Sequence, residues 1–394
     1  MLLRYSRLVL RTRTLTTSLG TGVASFVLLL VRGWRGLDHI PSDPGYEYIA
    51  GRVANGVRAF EVVPYLHADQ PLIASFTSLL PLAWHGISTT LLSHLVWSLC
   101  AVAISLALSN LGVSRLTSAL GGALLVLTPW ASQSAIGNFG NVRWPILVMA
   151  TVVIVAESTQ VQPRLRVMLL AGIAVTFSNP LHVLLLLPLA YAALHASDAK
   201  RKILAVAALP LVAGTATNVL NAATSGHDTK IERFWSGASL FWTSGQLLPA
   251  AVAALFVAIS VLGFKQLSQR RVVALHLFAM AIIIAAASYQ LGGIADRYFV
   301  APAALTAVGS LLFVNDFRSR SPQKGMLLAI ALAILLLVPA ARWFFVLPWL
   351  RSAPAWSEQV QQAKQRCDEN PASEFTLITS DGQGATDPIP CDRS

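Results

Sequence analysis

Charge is what this sequence has least of. Only 12% of its 394 residues are Asp, Glu, Lys or Arg, while 55% are hydrophobic and the mean hydropathy is +0.62. A soluble domain carries about 25% charged residues to keep its surface wet. That class is excluded, and the composition is that of a polytopic membrane protein. Cysteine is scarce too, at three residues. No spacing of possible ligands demands a metal, although a divalent ion is left open. No fixed-period repeat, low-complexity segment or long linker divides the chain, which sets aside solenoids and strings of domains.

Long apolar runs stand in their place. About eleven are long enough to count as spans, near 15–31, 88–109, 117–131, 145–157, 167–180, 182–196, 203–220, 248–264, 272–290, 299–314 and 325–345. The first follows Arg4, Arg7, Arg11 and Arg13 and lacks a small-x-small cleavage site, so it reads as a retained anchor. With the N-terminus inside, alternate loops gather about sixteen cations, among them Arg115, Arg164, Arg201, Arg270 and Arg320, against Glu157, Asp198 and Asp316 alone. That is about +13 inside and, from the net charge of +11, about −2 outside, the positive-inside distribution. Cations spread thinly over short loops do not make a nucleic-acid surface.

An odd number of spans places the C-terminus outside, where a thiol pair oxidises. Cys367 and Cys391 lie together in the polar tail, so a disulfide is expected, with two free thiols as the alternative; Cys100 is alone in the second run. The expected fold is therefore an all-α polytopic membrane protein of about 11 transmembrane helices, N-terminus cytoplasmic and C-terminus outside, with a small α+β tail. Its membrane domain covers 1–345, with a first outer loop at 32–71, and its tail covers 346–394. In the tail, WSEQVQQAKQRC reads as a helix with Ser357 as N-cap, EFTLITS as a strand, and PIPC as a return toward Cys367. His94, His182 and His276 fall inside spans, where helix-packing hydrogen bonds are the favoured reading and a proton path the other.

Polar chemistry concentrates in the outer segments, first of all in SDPGYEYIAGRVANG, residues 42–56. Asp43 before Pro44 is an N-cap pattern. A carboxylate so fixed near the membrane surface is also placed to act as a general base. The stretch resembles the first outer loop of GT-C-type glycosyltransferases, which use polyprenyl-phosphate sugars. HADQPLIASFTSLLPLAW (67–84) is similar to that family's re-entry into the second span, and ADRYFVAPAALTAVGSLL (295–312) to its late Arg-Tyr-x-x-x-Pro span. Together these cover about a fifth of the chain. Many members carry adjacent acids in this loop, whereas here Pro44 follows Asp43, which leaves the base open between Asp43 and Asp38.

The resemblance implies an inverting hexosyl or pentosyl transferase in the cell membrane, with its active site on the extracytoplasmic face. Its donor would be a polyprenyl-phosphate-linked sugar, its acceptor an envelope glycan, lipid or protein, and its surroundings membrane lipids, with no cofactor. It also makes the absence of a P-loop or Asp-x-Asp cluster expected, because no nucleotide diphosphate is bound. The donor phosphate calls for the forked guanidinium of Arg297 or Arg143. Tyr46, Glu47, His67 and Tyr298 are candidate donor or acceptor contacts. Two rival classes remain: a lipid or solute transporter or flippase, and a non-catalytic accessory subunit. Coupled carriers hold ionisable groups near the midplane, and here nearly all of them fall at span ends or in loops.

Overall fold

The computed structural model describes residues 2–33, 36–39, 80–127, 141–225, 268–292, 300–343, 354–378, 386 and 388–391. These form helices α1 (Leu2–Gly33), α2 (His85–Ser109), α3 (Arg115–Leu127), α4 (Arg143–Ser158), α5 (Leu165–Ser178), α6 (Leu186–Leu194), α7 (Asp198–Ser225), α8 (Gln269–Gly292), α9 (Val300–Arg320), α10 (Pro322–Trp343) and α11 (Trp356–Glu369). Short 3-10 turns at Leu82–Trp84 and Pro180–Leu185 lead into α2 and α6, and strands β1 (Glu374–Phe375) and β2 (Ile389–Pro390) close the tail.

The described part of every apolar run falls on α-helix or a 3-10 turn, except at a few residues at run ends, and 248–264 lies outside the described residues. In hydrocarbon, helix is how an isolated segment satisfies its own backbone. Four stretches are long and apolar enough to cross a membrane: Thr12–Gly33, Leu82–Ser109, Gln269–Ser288 and Val300–Arg320. Arg115–Leu127, Leu165–Ser178, Pro180–Leu194 and Pro322–Ile334 are shorter apolar helices.

The burial pattern is inverted relative to a soluble bundle. On α1, Leu15, Leu19, Val23 and Val27 recur every fourth residue and are exposed, while Ser18, Thr21 and Ser25 are buried. On α2, Leu95 and Leu99 are exposed while Thr90, Ser93 and His94 are buried. Polar groups turned in and apolar groups turned out is the arrangement a lipid solvent imposes.

Helix α9 is the centre, with 78% of its apolar window buried against 28% for α1. It pairs with α8 and also packs on α3, α4 and α10. Helices α1, α2 and α3 form a second group, and small residues let them approach. A Cβ on Gly122 would fall 2.4 Å from the Ala101 carbonyl oxygen, so α2 and α3 meet at backbone distance. Antiparallel α1 and α2 are joined by the Ser18 and Ser105 hydroxyls at 3.0 Å.

The helices bring the polar groups to two ends. The basic end holds the turn after α2, the α4–α5 connection, the start of α8 and the end of α9. There Arg164 bonds the buried Glu157 through its backbone N–H (3.0 Å) and its guanidinium. Buried Asp316 accepts from Arg271 Nε (2.5 Å) and Ser268 Oγ (2.6 Å), with Arg320 Nε at 3.5 Å. Arg270 donates to the carbonyls of Leu111 and Gly112, tying α8 to the turn after α2. Asp198, in the first turn of α7, pairs with Arg201. All three acids expected at this face are thus neutralised by cations.

At the opposite, tail end stands the C-terminal unit. Cys367 and Cys391 are joined by a disulfide, and β1 pairs antiparallel with β2. The expected strand over EFTLITS is regular only at Glu374–Phe375, after which Leu377 bonds Thr386 through both its N–H and its carbonyl. Ser357 is not the N-cap of α11. It lies in the first turn, and the cap comes from Asp38, 319 residues earlier in the chain.

Candidate functional site

Of the residues singled out in the sequence, Asp43, Tyr46, Glu47, His67, Arg297 and Tyr298 lie outside the described residues. Asp38, Arg143, Cys367 and Cys391 are described, and all four sit at the tail end. Asp38 follows α1 and reaches α11: its backbone oxygen accepts from Trp356 N at 2.7 Å. Its Oδ2 accepts from Ser357 N at 3.2 Å and from the Ser357 hydroxyl. Two of the N–H groups that a helix start leaves open are thereby satisfied. The second oxygen, Oδ1, is buried and has no hydrogen-bond partner among the described residues.

Arg143 opens α4. Its carbonyl oxygen accepts from Asn179 Nδ2 at 3.3 Å, binding the start of α4 to the end of α5. Asn179 also caps the following turn, accepting from Leu181 N at 3.0 Å ahead of Pro180. The Arg143 guanidinium carbon stands 5.8 Å from the centroid of the Trp144 ring, and its Nε is buried with no partner. No hydrogen bond or ion pair joins Arg143 to Asp38 among the described residues. The two candidates occupy separate corners of one end.

Helices α1 and α2 also carry a polar seam that the sequence did not reveal as such. Arg32, in the last turn of α1, is 1% exposed and donates to the carbonyl of Val126 at 3.1 Å, holding the end of α1 to the end of α3. The next residue, Gly33, faces His94: a Cβ there would fall 3.3 Å from its Cε1. His94 is fully buried, edge-on to Phe26, and neither ring nitrogen has a hydrogen-bond partner among the described residues. Thr90 Oγ1, Ser93 Oγ and Trp97 Nε1 on the same helix, and Ser25 Oγ on α1, are likewise buried and partnerless. An apolar run interrupted by Thr-Thr and Ser-His was the available signal for this seam.

The helix-packing hydrogen bond expected of the histidines is made by His182, whereas His276 bonds within its own helix and packs by its ring. His182 bonds the Asn179 carbonyl through Nδ1 (2.8 Å) and meets Thr215 Oγ1 across α7 through Nε2 (3.4 Å). His276 bonds Val272 O and packs on the ring of Tyr191. His94 is the exception.

A cleft of about 530 Å³ opens at the basic end, lined by Thr14, Leu106, Asn110, Val153, Arg164 and their neighbours. Its charged residue is already committed: the hydrogen bond to Glu157, more than the charge beside it, holds the Arg164 guanidinium above its ordinary pKa despite part burial. Among the described residues no group of three or more His, Cys, Asp or Glu is placed to hold a metal. Comparison with protein-family models, with curated proteins and with solved structures gives no match for this chain.

Proposed function

We propose that the protein is a multi-pass membrane glycosyltransferase. It would transfer a sugar from a polyprenyl-phosphate donor to a cell-envelope acceptor on the extracytoplasmic face. The observation that carries this reading is the contrast within one bundle: at the tail end Thr90, Ser93, His94 and Arg143 keep buried polar atoms without partners among the described residues. Each such atom costs about 1–3 kcal/mol. A polar headgroup and sugar entering from the membrane plane would supply the missing partners. The loop that resembles the family's catalytic loop leaves the bundle at this same end, after Asp38. In this reading all eleven apolar runs cross or enter the bilayer, with the basic end cytoplasmic and the tail outside.

In the proposed reaction Asp43 takes the proton from an acceptor hydroxyl. The oxygen attacks the anomeric carbon, the bond from that carbon to the phosphate oxygen breaks, and polyprenyl phosphate leaves with the electron pair and inversion at carbon. Arg297 or Arg143 holds the phosphate, and Tyr46, Glu47, His67 and Tyr298 are the candidate contacts to donor or acceptor. Asp38 is the reserve base. Purified protein with polyprenyl-phosphate sugars and envelope acceptors should form a new glycosidic bond, and Asp43→Asn should lower the rate about 100- to 10,000-fold with donor binding kept. Asn caps a helix about as well as Asp, so loss of a cap does not account for such a drop. Transfer at the wild-type rate would move the role to Asp38.

One observation favours a second reading. A partnerless imidazole buried within α2 is a feature of translocation paths. A flippase would move labelled lipid across proteoliposomes, lose flux on His94→Leu, and make no new bond.

A further inference from the structure

We infer that the C-terminal tail is a clasp whose first helical turn joins the two chain segments flanking residues 40–79. Three stretches distant in sequence meet at one point: 36–39 after α1, 80–86 leading into α2, and 354–357 at the start of α11. Asp38 accepts from Trp356 N with its backbone oxygen, and from both Ser357 N and the Ser357 hydroxyl with Oδ2. Trp356 is 1% exposed, and its indole Nε1 donates to the carbonyl of Leu82 at 2.9 Å. One tryptophan therefore binds the segment before residue 40 through its backbone and the segment after residue 79 through its ring. His85 Nε2 lies 3.1 Å from the Leu80 carbonyl and completes the second stem.

The junction is closed sterically as well as by hydrogen bonds. A Cβ on Gly86 would fall 2.8 Å from Asp38 Oδ1 and 3.0 Å from Trp356 Cβ, so only glycine lets the start of α2 into this corner. The dependence is mutual. Ala355, at the N-cap position, offers α11 no side-chain bond, and Asp38 supplies what its sequence lacks.

The tail is also built to resist deformation. Val360, Ala363, Cys367, Phe375, Leu377 and Ile389 are buried, and the disulfide ties the last turn of α11 to β2's end. The Gln359 amide bonds both the N–H and the carbonyl of Ile378. Force at the Trp356 junction is thus met by a cross-linked unit rather than by a loose terminus. Trp356 and Ser357 are positioning residues: they hold the base of the segment that carries Asp43. Their effect on catalysis rests on the proposed transferase reading, whereas the clasp itself does not.

Hydrogen exchange on the full-length chain in detergent tests the clasp without reference to activity. Asp38→Ala and Trp356→Ala should each raise exchange about tenfold at 36–39, 80–84 and 354–360, while α9 keeps its protection. Asp38→Asn, which presents an equivalent acceptor, should stay near wild type. Unchanged exchange at 36–39 and 80–84 in Trp356→Ala would overturn the clasp, and so would loss of protection throughout α9, since the junction would then belong to the general fold. In a transfer assay Trp356→Ala and Ser357→Ala should lower kcat with donor KM unchanged, and Ser357→Thr should restore it. A raised KM with kcat unchanged would overturn the positioning role. If wild-type protein transfers no sugar, the function reading fails while the exchange result still decides the clasp.

Discussion

The two ends of this bundle solve the same problem in opposite ways. At the basic end Glu157 and Asp316 are buried, and each is met by an arginine: Arg164 for the first, Arg271 with Arg320 for the second. At the tail end the buried polar atoms of Thr90, Ser93 and His94 and the Nε of Arg143 have no hydrogen-bond partner among the described residues. Trp97 Nε1, midway along α2, and Ser310 Oγ, midway along α9, also lack partners among the described residues and belong to neither end. Paired charges weld α4 to its following loop and α8 to α9. Unpaired polar groups weaken the fold, and a fold tolerates them where a ligand completes them. Among the described residues the buried acids of the basic end are paired, and the buried hydroxyls and imidazole of the tail end are not.

Breaking the basic end should have the largest effect. Arg271→Met leaves Asp316 buried without its closest cation and should cost about 3–5 kcal/mol, read from thermal unfolding in detergent. Adding Asp316→Leu should recover most of that loss. A single variant that melts like wild type would show that the pair is not a weld and would dissolve the contrast between the ends.

Next comes the tail. The bridge between Cys367 and Cys391 closes a loop across a separation of 24 residues, and chain entropy gives such a loop about 3 kcal/mol. Replacing both cysteines by serine should open the tail to limited proteolysis and leave the bundle's melting nearly unchanged. Equal loss in both would mean that the tail is part of the bundle's core rather than a brace upon it.

The smallest effect is the sharpest test of the comparison. His94→Leu removes two partnerless ring nitrogens from a buried site and should raise stability by about 1 kcal/mol while impairing function. A loss of stability instead would show that the imidazole is satisfied in the folded chain, and that the tail end is as finished as the other.

Much of this was legible from runs and signs alone. The described apolar stretches coincide with helices because a segment in lipid has no other way to satisfy its backbone, and the tail's helix, return strand and disulfide lie where its helix formers, alternating residues and thiols put them. The acids Glu157, Asp198 and Asp316 were placed on the cation-rich face by charge counting, and each has a cation beside it. The role of Asp38 was not legible. Its sequence neighbours say nothing of Ser357, and a cap normally comes from the residue just before the helix. His94 looked like His182 and His276 in sequence, since each is one imidazole in an apolar run; His182 and His276 meet carbonyls of their own turns, at Asn179 and Val272, and His94 meets none among the described residues.

What the sequence by itself determined is the solvent and the segments: composition requires lipid, periodicity requires helices, and charge sorts the loops into two sets. These are properties of local stretches, summed along the chain. Only the tertiary structure decided that Asp38 serves the tail, that Trp356 bridges Asp38 and Leu82, and that His94 is buried beside Gly33 and Phe26 without a partner. The physical reason is range. A hydrogen bond acts over about 3 Å, and residues 319 apart come within that distance only after the bundle has packed.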